Sequence, residues 1–217
     1  MKVGTDAVLL GAWTEVKDSG FILDVGTGCG IIALILAQKN TSASIRAIDV
    51  DRESIEEARI NFTQSLWKNN LKAICSSFEI YSAENQNKFD LIVSNPPYFQ
   101  NGIASPHPQR QRARHAITLS PSVFFGSAVK CLSITGEISL ILPAYKSELW
   151  FDAAKSNGLF PVRVTMVFSY PGKPAERILA TFGKHEVIPQ KDVFTIRDEK
   201  GGCYTDEYLK LTKEYLL

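Results

Sequence analysis

Asn95-Pro96-Pro97-Tyr98 is the stretch of this 217-residue chain whose residue types are best suited to holding another molecule. It follows Phe89-Asp90-Leu91-Ile92-Val93, an apolar run that reads as a buried strand. Two successive prolines lack the ladder donors that a central strand needs, and they restrict Asn95 before them. The chain must therefore leave the sheet here in a stiff, extended form. The resulting rim carries a side-chain amide, backbone carbonyls and an aromatic ring, which together suit a planar group bearing an amine. Taken alone, the same tetrapeptide also fits an ordinary strand exit.

The weight comes from what precedes it. Phe21-Ile22-Leu23-Asp24-Val25 reads as a strand and runs into Gly26-Thr27-Gly28-Cys29-Gly30, after which Ile31, Ile32, Leu34, Ile35 and Leu36 open a helix. Strand, glycine turn and apolar helix in this order bring a ligand close to backbone. The spacing is Gly-x-Gly-x-Gly, not the dinucleotide Gly-x-Gly-x-x-Gly. Asp24 at the strand end would repel a phosphate and suits an ammonium group, reached directly or through water. Asp49 closes a second strand, Ser44 to Asp49, and stands 25 residues after Asp24. An acid at such a position accepts both hydroxyls of an adenosine ribose; the competing reading is that it only starts the next helix. Asp51 is the better cap for that helix, which is expected to run to about Trp67 with Ile55, Ala58, Phe62, Leu66 and Trp67 on its apolar stripe.

The elements that must position these residues follow in order. Thr5 or Asp6 is expected to cap a helix reaching Trp13. Leu71 to Cys75 reads as a third strand, followed by Ser76, Ser77 and Phe78 at what would be the adenine end. A helix over Val123 to Leu132, capped by Ser120 or Ser122, leads to a fifth strand over Gly136 to Leu142. Glu148 to Ser156 is amphipathic. Phe160 to Ser169 and Arg177 to Phe182 form a late hairpin around Pro171-Gly172-Lys173-Pro174. The tail ends in a helical run to Leu216. Strands alternating with helices predict an α/β fold with a mostly parallel, seven-stranded sheet covered on both faces, and ligands beyond the carboxyl ends of its strands.

Composition narrows the class. Hydrophobic residues make up 45% and charged residues 22%, ordinary for one globular domain of residues 1–217. A net charge of +1 does not announce a polyanion partner, although Arg110, Arg112 and Arg114 form a local basic patch beside His115. A solvated helix face is the competing reading for these arginines, and a structural role is the competing reading for His115. Cys29, Cys75, Cys131 and Cys203 lie too far apart to read as a metal set and read as reduced intracellular thiols, mostly in or near the core. No apolar run approaches a membrane span and no signal peptide is visible, so a cytoplasmic location is expected.

Asp24 to Gly30, Asp49 and Asn95-Pro96-Pro97-Tyr98 together resemble the class I S-adenosylmethionine-dependent methyltransferases, with their Rossmann-like fold. Within these, Asn-Pro-Pro-Tyr marks enzymes acting on exocyclic base amines or on glutamine amides. The opening Met1 to Trp13, the segment Phe99, Pro108-Gln109-Arg110 and Arg114-His115, and Lys173-Pro174-Ala175-Glu176-Arg177 resemble bacterial tRNA1(Val) adenine-37 N6-methyltransferases over nearly the whole chain. That resemblance implies S-adenosyl-L-methionine held by Lys2, Thr5, Asp24, Gly26, Thr27, Gly28, Gly30, Asp49, Val50, Ser77, Phe78 and Asn95. It implies catalysis by Asn95, Pro96, Pro97 and Tyr98, and no metal. It implies tRNA contacts from Arg110, Arg112, Arg114, His115 and Lys173. Members of that family carry residues ahead of Met1-Lys2-Val3, so a short preceding segment is expected. Many also carry Asp where this chain has Ser77. Glutamine N5-methylation of a translation factor, adenine N6-methylation of ribosomal RNA or DNA, and a noncatalytic RNA-binding protein are the alternatives.

Overall fold

In the computed structural model, residues 4–16, 20–97 and 119–215 are described. Their strands form one sheet: β1 (Phe21–Val25), β2 (Ser44–Asp49), β3 (Leu71–Cys75), β4 (Phe89–Ser94), β5 (Leu132–Pro143), β6 (Phe160–Phe168), β7 (Arg177–Gly183) and β8 (Gln190–Thr195). The helices are α1 (Thr5–Trp13), α2 (Ile31–Lys39), α3 (Arg52–Gln64), α4 (Phe78–Glu84), α5 (Pro121–Cys131), α6 (Ser147–Ser156) and α7 (Asp206–Thr212). The sheet order is β3-β2-β1-β4-β5-β7-β6-β8. Strands β3, β2, β1, β4 and β5 are parallel, β7 runs antiparallel to both its neighbours, and β8 lies parallel to β6.

The parallel centre follows from composition. Strands β1 and β4 bury nearly every residue because helices cover both faces, so they read as apolar runs. On one face Leu9, Leu10, Ile32, Leu36, Ile55, Phe62 and Tyr208 pack from α1, α2, α3 and α7. On the other, Phe78, Tyr81, Phe124, Phe125 and Trp150 pack from α4, α5 and α6. The Trp13 indole donates to Thr165 Oγ1 at 3.1 Å, tying α1 to β6.

Five expectations are corrected. The sheet has eight strands, not seven; β8 was missed because it is an edge strand that buries little beyond Phe194. Helix α1 is capped by Gly4 without a side-chain bond, and Thr5 and Asp6 lie inside its first turn. Helix α3 stops at Gln64, and Leu66 is 92% exposed, off the buried stripe of Ile55, Ala58 and Phe62. Strand β5 starts four residues before Gly136, at Leu132, through a register shift beside Phe89. Of the four thiols, Cys75 and Cys203 are exposed. The cap of α3 is as expected: Asp51 accepts from Ser54 N at 3.0 Å.

The sheet order reverses between β1 and β4. Strands β2 and β3 lie to one side of that pair, and β5 and the strands beyond it to the other. Open α/β sheets place ligands outside the carboxyl ends of strands at such a reversal. Here Asp24 pairs with Val93 and Val25 with Ser94 across it.

Candidate functional site

The glycine loop leaves β1 and folds back on the end of β2. Gly26 N and Thr27 N both donate to Ile48 O, at 2.9 and 3.0 Å. Gly26 and Gly30 have φ of 72° and 87°, a region that favours glycine. At Gly30 an added Cβ would lie 2.5 Å from Phe62 Cε1, so the start of α2 passes too close to α3 for any other residue. At Gly26 no described residue lies within 4 Å of that position, so among the described residues the loop presents bare backbone.

Two carboxylates flank this loop in different environments. Asp24 is buried, with Oδ2 accepting from Thr27 Oγ1 at 2.6 Å and Oδ1 without a hydrogen-bond partner among the described residues. Burial pushes its carboxyl up to about 7; the Thr27 hydroxyl and the Ala33 amide pull the other way, and the Asp49 charge adds to the rise. A buried carboxylate oxygen with no partner is costly unless a donor reaches it. Asp49 is held open at the edge: Oδ2 accepts from Gly28 N and Oδ1 from Asp51 N, both at 3.0 Å. Each carboxylate oxygen has two acceptor sites, so each keeps one for a ligand hydroxyl. Val50 beside it is exposed.

At the end of β3 the Ser77 hydroxyl is engaged locally, accepting from Ile80 N at 3.3 Å as the cap of α4. The Phe78 ring is buried 5.3 Å from the Phe124 ring, so it belongs to the core. What these two positions offer a ligand is therefore mainly backbone. At the β4 exit, Ser94 Oγ donates to Val25 O at 2.8 Å and locks the two strands of the reversal together. Asn95 is half-buried, Pro96 buried and Pro97 exposed. Asp24, the glycine loop, Asp49, Ser77 and Asn95 thus all occur at the carboxyl edge of adjoining strands.

Lys2, Tyr98, Arg110, Arg112, Arg114 and His115 lie outside the described residues. Lys173 sits in the turn between β6 and β7, ion-paired with Glu176 and with Nζ 5.5 Å from the Tyr170 ring centre. Thr5 and Asp6 border a separate cavity above β6, β7 and β8. There Asp6 Oδ2 accepts from Arg177 Nε at 2.8 Å across 171 positions of sequence. The two sequence segments Met1–Trp13 and Lys173–Arg177 therefore meet in space. Sequence reasoning missed this pairing and the Ser94 lock, since both are long-range; it also missed Arg197 and Tyr204, which border the same cavity.

The methyltransferase small domain family matches residues 3–144. The chain belongs to that family. A tRNA1(Val) (adenine(37)-N6)-methyltransferase of Bacteroides fragilis is 41% identical over 220 residues, covering all of this chain and 91% of the relative. One of Histophilus somni is 36% identical over 218 residues, with the same coverage. The crystal structure of a predicted O-methyltransferase from Agrobacterium tumefaciens superposes with a TM-score of 0.76 at 18% identity, over 96% of both chains. At that identity the likeness speaks to the methyltransferase fold alone. The 3–144 match carries β1 to β5, the strands whose carboxyl ends bear the glycine loop, both carboxylates and Asn95. Among the described residues, no helix is long and apolar enough to cross a membrane.

Proposed function

We propose that this chain is one methyltransferase domain that transfers a methyl group from S-adenosyl-L-methionine to the N6 amine of adenine 37 in a tRNA anticodon loop, that of tRNA1(Val). The observation that supports this most is the meeting of the Asn95-Pro96-Pro97 rim with the glycine loop at the sheet reversal, in a chain related over its full length to enzymes of that name.

The residues fit the donor. Asp24, whose Oδ1 is buried without a hydrogen-bond partner among the described residues, is assigned to the ligand's ammonium group, met directly or through water. Asp49 keeps acceptor sites for the ribose hydroxyls. Gly26, Thr27, Gly28 and Gly30 give the close backbone approach, and the backbone at Val50, Ser77 and Phe78 borders the adenine. When bound, the sulfonium supplies both the methyl group and its own leaving group.

The acceptor nitrogen is poorly nucleophilic because its lone pair delocalises into the ring. The Asn95 side-chain carbonyl and the Pro96 backbone carbonyl accept hydrogen bonds from its two hydrogens and favour a lone pair withdrawn from conjugation and directed at the methyl group. These bonds strengthen as the nitrogen becomes tetrahedral and positive, so they favour the transition state over the ground state. Tyr98 stacks on the base and completes the alignment. An anticodon loop presents unstacked bases, which keeps the cost of splaying the target small. Lys2 shapes the donor lid, and Arg110, Arg112, Arg114, His115 and Lys173 contact the RNA backbone.

Bulk tRNA, ribosomal RNA and protein incubated with labelled donor and digested for mass spectrometry test the assignment. Label in N6-methyladenosine at position 37 of one tRNA is the expected result. Label in a protein glutamine alone overturns it.

A further inference from the structure

A cavity of ≈ 370 Å³ opens at the carboxyl edge of the sheet, between the start of α1 and the ends of β6, β7 and β8. Its volume lies in the range of small-molecule sites, about 300–1,000 Å³. Its position is set by register. Ser94, next to Asn95, pairs with Leu140 of β5, and Pro143 of the same strand pairs with Arg177 of β7. Two strand spacings, roughly 10 Å, and two residues along the strand, roughly 7 Å, therefore place the near wall of the cavity about 12 Å from the amine rim.

The carboxylates of the walls are engaged. Asp6 pairs with Arg177, and Glu176 pairs with Lys173 while accepting from Ser169 Oγ. Arg197 is different. Its guanidinium lies 4.2 Å from the Tyr204 ring centre, and it donates to the neutral Gly202 carbonyl. Tyr204 in turn stacks on buried Tyr208, with centres 4.6 Å apart and planes 19° from parallel. The backbone bridge between Arg197 and Tyr204 holds the pair in register. Tyr204 is thus packed against both Tyr208 and Arg197, and since Tyr208 is buried while Arg197 borders the cavity, the guanidinium is the planar end of this cluster that the cavity can use.

We propose that this cavity holds the base of a nucleotide next to the methylated adenine, stacked on the Arg197 guanidinium. The inference rests on the tRNA reading above and adds a second anchor on the substrate. Bases stack on arginine planes as they do on aromatic rings. A phosphate gains little here, because the lining charges balance, Asp6 and Glu176 against Arg177 and Arg197. A planar, polar, uncharged base meets donors and acceptors on these walls without charge repulsion. Anchoring a neighbour also sets the register that presents one base, and not the next, to Asn95.

The test uses the full chain and synthetic anticodon stem-loops. Arg197→Lys keeps the charge and removes the plane; Tyr204→Leu removes the support beneath it. Each is expected to lower kcat/KM for RNA about tenfold through KM, with donor affinity by calorimetry and melting temperature held near wild type. An abasic nucleotide on one side of the target should lower wild-type kcat/KM by a similar factor and leave Arg197→Lys unaffected by the change. That arm alters only the RNA, so it reads the contact even where a protein variant folds poorly. Wild-type kinetics for Arg197→Lys, or equal losses for wild type and variant with abasic loops on either side, overturn the proposal. So does a loss confined to Arg197→Met with a shallower salt dependence, which marks a phosphate contact. A wild-type chain that methylates no RNA, or only a protein, overturns the tRNA reading itself.

Discussion

Replacing Asp24 by Asn should change how stability depends on pH. The Asp24 carboxyl is buried, has one oxygen without a partner among the described residues and is pushed from 3.8 to about 7. Between those values the folded chain keeps a proton that the unfolded chain has released. Stability therefore falls as pH rises through that window and levels off above about 7. At about 1.4 kcal/mol per unit of pKa, the full loss above pH 8 is about 4 kcal/mol, of which about 3 kcal/mol falls between pH 5 and pH 8.5. For a domain of this size that is a change in Tm of roughly 10 °C. The amide of the Asp24→Asn variant carries no charge at any of these pH values, so the variant should lack this part of the slope. Its own hydrogen-bonding cost is the same at pH 5 and pH 8.5 and cancels when the two are compared. Urea denaturation of the ligand-free protein at both pH values, for wild type and Asp24→Asn, gives the slopes. Parallel profiles would refute the reasoning, because they require Asp24 to ionise in the fold as it does in water. A linked expectation concerns the donor. If its ammonium group is the missing partner, binding near pH 7 releases about half a proton, which calorimetry in buffers of different ionisation heat detects.

The other expectations are simpler. Asn95→Ala should cut methyl transfer by about 10²- to 10³-fold while donor affinity by calorimetry stays near wild type; retained activity removes Asn95 from the amine-holding role. Asp49→Ala should weaken donor binding by roughly tenfold or more, since the Asp49 carboxylate, held by Gly28 N and Asp51 N, is the group assigned to the ribose; unchanged affinity rejects that assignment. Gly30→Ala should destabilise the fold by about 2–4 kcal/mol, because its Cβ meets Phe62 at 2.5 Å on a backbone of φ 87°; an unchanged urea midpoint would show that α2 and α3 yield freely. In a double-mutant cycle, Asp6→Ala and Arg177→Ala should couple by about 0.5–1 kcal/mol in stability, since both side chains are partly exposed; zero coupling would mean the pair does not persist in solution.

The centre of this fold is legible for a physical reason. Parallel strands buried on both faces must be largely apolar, so β1 and β4 are recognisable from Phe21–Val25 and Phe89–Ser94 without knowledge of their partners, and β2 and β3 from the apolar centres of Ser44–Asp49 and Leu71–Cys75. The glycine loop is legible because a turn at φ 72° and 87° admits few other residues. Strand β8 was not legible: Gln190-Lys191-Asp192-Val193-Phe194-Thr195 buries mainly Phe194, and the edge position that excuses such a sequence is a fact of the assembled sheet. Leu66 misled because helical periodicity was carried past Gln64, where the chain turns. At the site, Ser77 has the right position for a ligand contact, yet its hydroxyl also fits a helix cap, and the cap takes it. The bonds of Ser94 to Val25 and of Asp6 to Arg177 span 69 and 171 positions, and no local pattern announces such pairs.

That difference in range divides the site itself. The donor half is built at three consecutive strand–helix junctions, Asp24 to Gly30, Asp49 to Asp51 and Ser76 to Phe78, each stabilised by bonds to itself or to the next strand. Its chemistry is therefore written in short motifs that any chain with this fold can carry. The other half is assembled from the start of α1, the β6–β7 turn and the segment after β8, which meet because β7 runs antiparallel and α7 docks beside α1, with the exit of β4 on the same edge of the sheet. Nothing in the donor half constrains what fills that second surface. On the proposed reading, the glycine loop and Asn95 serve methyl transfer to an amine, and discrimination between one amine and another falls to the residues gathered by the late hairpin and the last helix. On this division, changes at Asp6, Arg177, Arg197 and Tyr204 alter which acceptor is taken, while changes at Asp24 and Asp49 alter whether any acceptor is methylated at all.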